Sequence, residues 1–191
     1  YGSPDLVLDL ETFPWPWEDD SVSEIQMTHV LEHLGESTRT YFSIIQELYR
    51  ICQNGAVIHI AVPHPRHDDF LDDPSHVRAI TPDGLMMFSR KHNEEWIAKG
   101  CSNSTLAMSL NVDFEIASFN LILDPEWSSL RSKIGDEELL KSISRFNNVI
   151  KEIHARVLLS AVRQPDTWFG LKYNMNLYRG CQHQCIYCDS R

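Results

Sequence analysis

The stretch that most limits what this chain can become is AVIHIAV, residues 56–62. It is β-branched, nearly continuous in apolar character, and stopped by Pro63. Such a run reads as a strand of a parallel sheet covered on both faces. What precedes it fits. Ser37 is placed to cap a helix in which Tyr41, Ile44, Ile45, Leu48 and Cys52 recur at helical spacing, and Asn54-Gly55 ends that helix. Upstream again, VSEIQMTHV, 22–30, reads as a strand, as does DLVLDL, 5–10, with a Pro- and Trp-rich turn between them. The order strand, strand, helix, strand predicts an α/β sheet.

Beyond Pro63 lies a long loop, PHPRHDDFLDDPSHVRAIT, and then Thr81-Pro82-Asp83, the N-cap, first-turn proline and acidic residue of a short helix. DFEIASFNLIL, 113–123, alternates as a late antiparallel strand. From Asp136 to about Val162 the spacing predicts one long amphipathic helix, with Leu139, Ile143, Phe146, Ile150, Ile153, Val157 and Ala161 on a common face. Gln164-Pro165 breaks the pattern. The texture then becomes aromatic and Asn-rich, which predicts two domains, 1–163 and 164–191.

Composition closes off some classes. The net charge of −10 argues against a general nucleic-acid or membrane-surface binder. Apolar runs are far shorter than the roughly 20 residues a membrane helix needs. The start, YGSPDLVLDL, lacks a basic segment and an initiator methionine and reads as a cut end rather than a signal peptide. Five cysteines, three of them crowded near the end, do not form a secreted disulfide framework, so the expected compartment is the reducing cytoplasm. Cys52 and Cys101 read as ordinary thiols.

LDLETFPWPWEDDSVSEIQMTHVLEHL resembles the middle of class I S-adenosylmethionine-dependent methyltransferases. Asp9 matches that family's acidic position after the third strand, PWPWEDDSVSE its turn, and THVLEHL the end of its fourth strand. QNGAVIHIAVP matches the next strand, keeping one glycine of the usual pair. The resemblance implies an incomplete Rossmann-like sheet with S-adenosylmethionine as cofactor. A carboxylate at a strand's carboxyl end can accept from the adenine amino group, and Asp9 takes that role or is a solvated turn acid. His29 lies where the cofactor's methionine end would sit, or is a packed or surface histidine. Glu32 and His33 are expected to order the local turn. The family's GxGxG loop is absent from the eight glycines present, and would lie upstream of residue 1. The expectation is therefore half a cofactor pocket and no methyl transfer by this polypeptide alone. The methyl acceptor is not identified. In loop 63–81, His64, His67, Asp68, Asp72, Asp73 and His76 are open to three readings: metal ligands, a substrate-side loop, or salt-bridge partners of Arg66 and Arg78.

Cys181-x3-Cys185-x2-Cys188, within WFGLKYNMNLYRGCQHQCIYCDSR, resembles the opening of radical S-adenosylmethionine proteins of the spore photoproduct lyase-like branch. The resemblance implies that the three thiolates hold a 4Fe–4S cluster in the first segment of an incomplete barrel, with Tyr187 near the adenine. A Cys3His zinc site using His183 is the competing chemistry. A nucleic-acid substrate is implied only for this part. Alternatives for the whole are a radical enzyme with a degenerate methyltransferase-like scaffold, a non-catalytic binding module, or two gene fragments joined.

Overall fold

The computed structural model describes residues 5–159 and the backbone of 174–176. A parallel strand–helix–strand unit forms its centre. Strand β1 (Val22–Thr28) leads through a 3-10 turn (Leu31–His33) into helix α1 (Thr38–Ile51), which returns to β2 (Cys52–Pro63), parallel to β1. Ser37 caps α1 as expected, its hydroxyl accepting from Thr40 N–H at 3.0 Å. Tyr41, Ile44, Ile45, Leu48 and Ile51 form the helix's buried stripe. The helix stops at Ile51, and Asn54-Gly55 falls inside β2, where the β1–β2 register shifts between Val22 and Glu24.

After β2 come four short helices, α2 (Asp68–Leu71), α3 (Pro82–Met86), α4 (Arg90–Ala98) and α5 (Leu106–Leu110). Thr81 caps α3 with Pro82 in its first turn, as its sequence predicts. Strand β3 (Phe114–Leu123), helix α6 (Pro125–Arg145) and strand β4 (Ile150–Leu159) complete the continuous body, and Asn174–Asn176 forms β5. The sheet is mixed, in the order β3-β4-β2-β1-β5, with β4 antiparallel to both β2 and β3. The result is an α/β fold.

Two expected elements differ. The predicted helix from Asp136 to Val162 is a helix ending at Arg145 followed by strand β4. Asn148, at φ 57, turns the chain between them. Ile153, Ala155, Val157 and Leu159 are all buried, so the period is two, and the β-branched residues that fit a helical stripe also fit a strand. DLVLDL is irregular, with Leu6 and Val7 exposed and only Leu10 buried. A strand needs a ladder partner, and the edge of β1 pairs with Asn174–Asn176 instead.

The sheet has one core face. Ile25, Ile58 and Val157 lie in one cross-strand row, and Met27, Ile60 and Ala155 in the next. They pack with Ile44, Leu48, Leu85 and Phe88 into a single cluster. The other face carries Glu24, Gln26, His59 and Arg156, with His59 Nε2 3.3 Å from Glu24 Oε1. Hence β2 is not covered on both sides by the described residues. Its odd-numbered residues Val57, His59 and Ala61 are half-buried.

Trp15 and Trp17 of the proline-rich turn are tied to α1 by Arg50. Its guanidinium donates to Trp15 O (3.0 Å), Trp17 O (2.8 Å), Asp19 Oδ1 (2.8 Å) and both oxygens of Glu47. Trp15 N–H donates to Glu47 Oε2 at 2.7 Å. This bidentate pairing holds the Glu47 carboxyl below its ordinary pKa. No helix among the described residues is long and apolar enough to cross a membrane.

Candidate functional site

The carboxyl ends of β1 and β2 lie side by side, where open α/β sheets hold ligands. His29 follows β1 directly, and its N–H donates to Ala61 O at 2.8 Å, continuing the ladder. Its φ of 53 turns the chain sharply there. The fully buried Val30, Leu31 and Leu34 then pull the 3-10 turn into the core. Loop 63–81 closes over that turn: Glu32 O accepts from Val77 N–H (2.9 Å) and Arg78 N–H (3.1 Å). The Glu32 carbonyl thus ties the loop to the turn.

His29 is half-buried, with Nδ1 3.4 Å from Glu32 Oε1 and Nε2 3.8 Å from Glu152 Oε1. The Glu32 contact raises its pKa, Glu152 and Asp69 add to that, and burial opposes them. The Glu32 contact is close but off the line of a well-formed hydrogen bond, since both Glu32 oxygens are buried without a hydrogen-bond partner among the described residues. His33 is also buried, and burial lowers its pKa. His33 Nδ1 lies 3.1 Å from Ser75 Oγ and 3.3 Å from Ser75 O. Its ring stands 4.5 Å, centroid to centroid, from that of His76.

The remaining residues singled out from sequence fall in different places. Asp9 is exposed, and its carboxylate accepts from Glu11 N–H (2.9 Å) and Thr12 Oγ1–H (3.2 Å), the geometry of a turn acid. No hydrogen bond or ion pair joins it to His29 among the described residues. Its neighbour Glu11 reaches the 3-10 turn's exit, accepting from Gly35 N–H at 2.7 Å. Loop 63–81 splits into two groups. His67 Nε2 lies 3.4 Å from Asp124 Oδ2, and Asp68 pairs with Asn148; Asp73 and His76 face His33 instead. Arg66 donates to Ile143 O and Asn147 Oδ1, and Arg78 donates to Gly35 O and lies 4.2 Å over the Tyr41 ring. Neither forms a salt bridge with the loop's acids among the described residues, the third of the readings left open for this loop. Cys52 is buried, which pushes its thiol up to about 12, and Cys101 is exposed. Tyr187, Cys181, Cys185 and Cys188 lie outside the described residues.

Sequence reasoning missed one grouping. Glu32, His33 and His76 bring their ligand atoms within 4.8 Å of one another, although loop and turn are far apart in the chain. No local spacing encodes it. The only hint was the density of imidazoles and carboxylates on both segments.

Beside α3 and α4, Asp83, Met86, Met87, His92, Trp96 and Asn103 line an open groove of about 430 Å³.

No protein-family profile and no curated protein matches the chain. Solved structures do match. They are S-adenosylmethionine-dependent methyltransferases in the cases that follow. One from Archaeoglobus fulgidus is 15% identical, with a TM-score of 0.46, over 74% of this chain and 61% of its own length. One from Methanosarcina mazei is 14% identical, with a TM-score of 0.44, over 81% of this chain and 66% of its own. A third, from Mesorhizobium loti, is 13% identical at a TM-score of 0.40, over 81% and 71%. The chain thus spans about three fifths of the Archaeoglobus protein's length.

Proposed function

We propose that the body formed by residues 5–159 serves S-adenosylmethionine-dependent methyl transfer. One observation carries this reading. Of the segments that resemble the methyltransferase family, THVLEHL and QNGAVIHIAVP fall in order on a single parallel β1–α1–β2 unit, with THVLEHL at the edge where such sheets bind ligands, while LDLETFPWPW precedes that unit as irregular backbone. When bound, S-adenosylmethionine supplies an electrophilic methyl group for an acceptor nucleophile held in line. The chain's residues fit part of that group. Asp9 is exposed and keeps lone pairs for an amino group, and His29 stands half-buried at the end of β1 with a ring that can donate to a carboxylate. The groove beside α3 and α4 is the proposed route for the acceptor, whose identity stays open.

The reading extends to residues 164–191 as a second domain. There Cys181, Cys185 and Cys188 hold a 4Fe–4S cluster and Tyr187 lies near the adenine of a second S-adenosylmethionine, supported by the cysteine spacing alone. Any nucleic-acid substrate is proposed for this part alone, and the reduced thiols it needs support a cytoplasmic location.

Equilibrium dialysis with labelled S-adenosylmethionine tests the first claim. It uses the full chain with Cys181, Cys185 and Cys188 replaced by serine, so that only the body reports. Saturable binding, competed by S-adenosylhomocysteine and weakened about tenfold (~1.4 kcal/mol) in His29→Ala, is expected. A chain that binds no cofactor overturns it. For the second claim, anaerobic reconstitution of the unmodified chain is expected to yield iron and sulfide in equal amounts, lost in the serine variant. Zinc uptake with no iron would leave a Cys3His site in its place.

A further inference from the structure

Glu32 is the least comfortable residue in this body. It is 0% exposed, and neither carboxylate oxygen has a hydrogen-bond partner among the described residues. Among the described residues only two imidazoles, His29 and His33, come within ion-pair distance of it, with His76 a little further off, and no Lys or Arg does. A buried carboxylate left this way costs several kcal/mol, by order of magnitude, unless a cation or a set of donors meets it. Polar groups are not kept in a core without a partner.

Its neighbours have the chemistry to bring one. His76 Nδ1 lies 2.9 Å from Phe70 O, which fixes that nitrogen as the N–H donor and leaves Nε2 with its lone pair. His33 Nδ1 sits against Ser75 O and Ser75 Oγ, and its Nε2 faces Glu32 Oε1 at 4.0 Å. Metal-bound histidines are oriented in this way, with the outer ring nitrogen donating to a backbone carbonyl. Asp73 Oδ2 stands 3.8 Å from His76 Nε2, its other oxygen held by Ser75 N–H and Oγ–H. Phe70 stacks on the His76 ring at 5.2 Å and Arg78 packs on Tyr41, closing the surroundings against solvent.

We propose that Glu32, His33 Nε2 and His76 Nε2 form a binding site for one divalent transition-metal ion of the zinc class, joining the turn after β1 to loop 63–81. Two imidazoles and one carboxylate are a set that zinc accepts with a fourth position left for water or a further ligand. The ligand atoms, within 4.8 Å of one another, need to draw in by about an ångström to meet bonds of about 2.0–2.2 Å. Of the three, His76 lies on loop 63–81, outside the helices and strands, and its movement supplies that adjustment. Hard cations such as Mg2+ prefer all-oxygen shells and do not suit the two imidazoles. The site shares Glu32 with the His29 contact but does not rest on the methyl-transfer reading.

The experiment must silence the cysteines, which bind the same metals. In the full chain with Cys181, Cys185 and Cys188 changed to serine, Co2+ is titrated and followed by its visible d–d absorption, and Zn2+ by competition against it. One ion per chain is expected, with no thiolate charge-transfer band. His76→Asn and Glu32→Gln should each weaken binding by roughly 100-fold or more, since even outer-shell losses cost 10–100-fold. Zn2+ should raise the melting temperature of the serine-background chain and leave Glu32→Gln unmoved. Far-UV circular dichroism establishes that both variants fold, and His76→Asn, on the half-buried loop, stands in if Glu32→Gln does not. Absence of a stoichiometric ion, or binding unchanged in both variants, overturns the proposal.

Discussion

Replacing Gly35 by alanine is expected to destabilise the protein by about 3–5 kcal/mol, roughly 6–20 °C in melting temperature for a chain of this size. Two effects add. Gly35 sits at φ +72, where a side chain is strained by about 1–2 kcal/mol. Its new Cβ would also lie 2.6 Å from both Cα and Cβ of Tyr41, so the first turn of α1 must move. That shift reaches further. Gly35 N–H donates to Glu11 and Gly35 O accepts from Arg78, which covers the Tyr41 ring. Gly55→Ala is the control: its φ is +77, but nothing lies within 4 Å of the added methyl, so only the strain, about 1 kcal/mol, should appear. Equal melting shifts in the two variants would show that the Tyr41 contact is not the cause.

Arg50→Met is expected to cost about 3 kcal/mol at neutral pH, because it strips one side chain from two carbonyls and two carboxylates at once. Trp15 O and Trp17 O lose their donors, and Glu47 keeps only Trp15 N–H. The loss is also pH-dependent, with a fixed sign. Arg50, chiefly through its hydrogen bonds, depresses the Glu47 pKa in the folded state. The stabilisation is therefore complete above the unfolded glutamate value of about 4.3 and disappears as pH falls through the lower folded value. Urea unfolding at pH 7 should separate wild type from Arg50→Met widely, and the gap should narrow below about pH 4. A gap that stays constant would mean that Arg50 acts through packing of its aliphatic stem instead.

Much of the central unit is legible in the chain because its signals are local. Ser37 precedes an apolar stripe at helical spacing, Thr81-Pro82 opens a helix, and the alternation around 113–123 gives a strand. Each rests on backbone chemistry within a few residues, which the sequence carries directly. The segment 150–159 is different. Ile150, Ile153 and Val157 satisfy both a helical and an extended period, and pairing with β2 and β3 decides for the strand. DLVLDL has the composition of a strand but no ladder partner among the described residues, and extended backbone without a ladder stays irregular.

The same division runs through the candidate site. His29 could be placed near the end of β1 from the resemblance carried by THVLEHL, although the strand read over 22–30 ends at Thr28. Its contact with Glu32, and the convergence of Glu32 and His33 with His76, could not. Those residues meet only because two backbone hydrogen bonds from Val77 and Arg78 lay loop 63–81 across the 3-10 turn. Sequence by itself determined the residue types, the helix and strand that carry them, and the cysteine spacing at 181–188. Tertiary structure decided which imidazoles surround a buried carboxylate, because burial and side-chain proximity are properties of the packed chain and leave no mark at any fixed spacing.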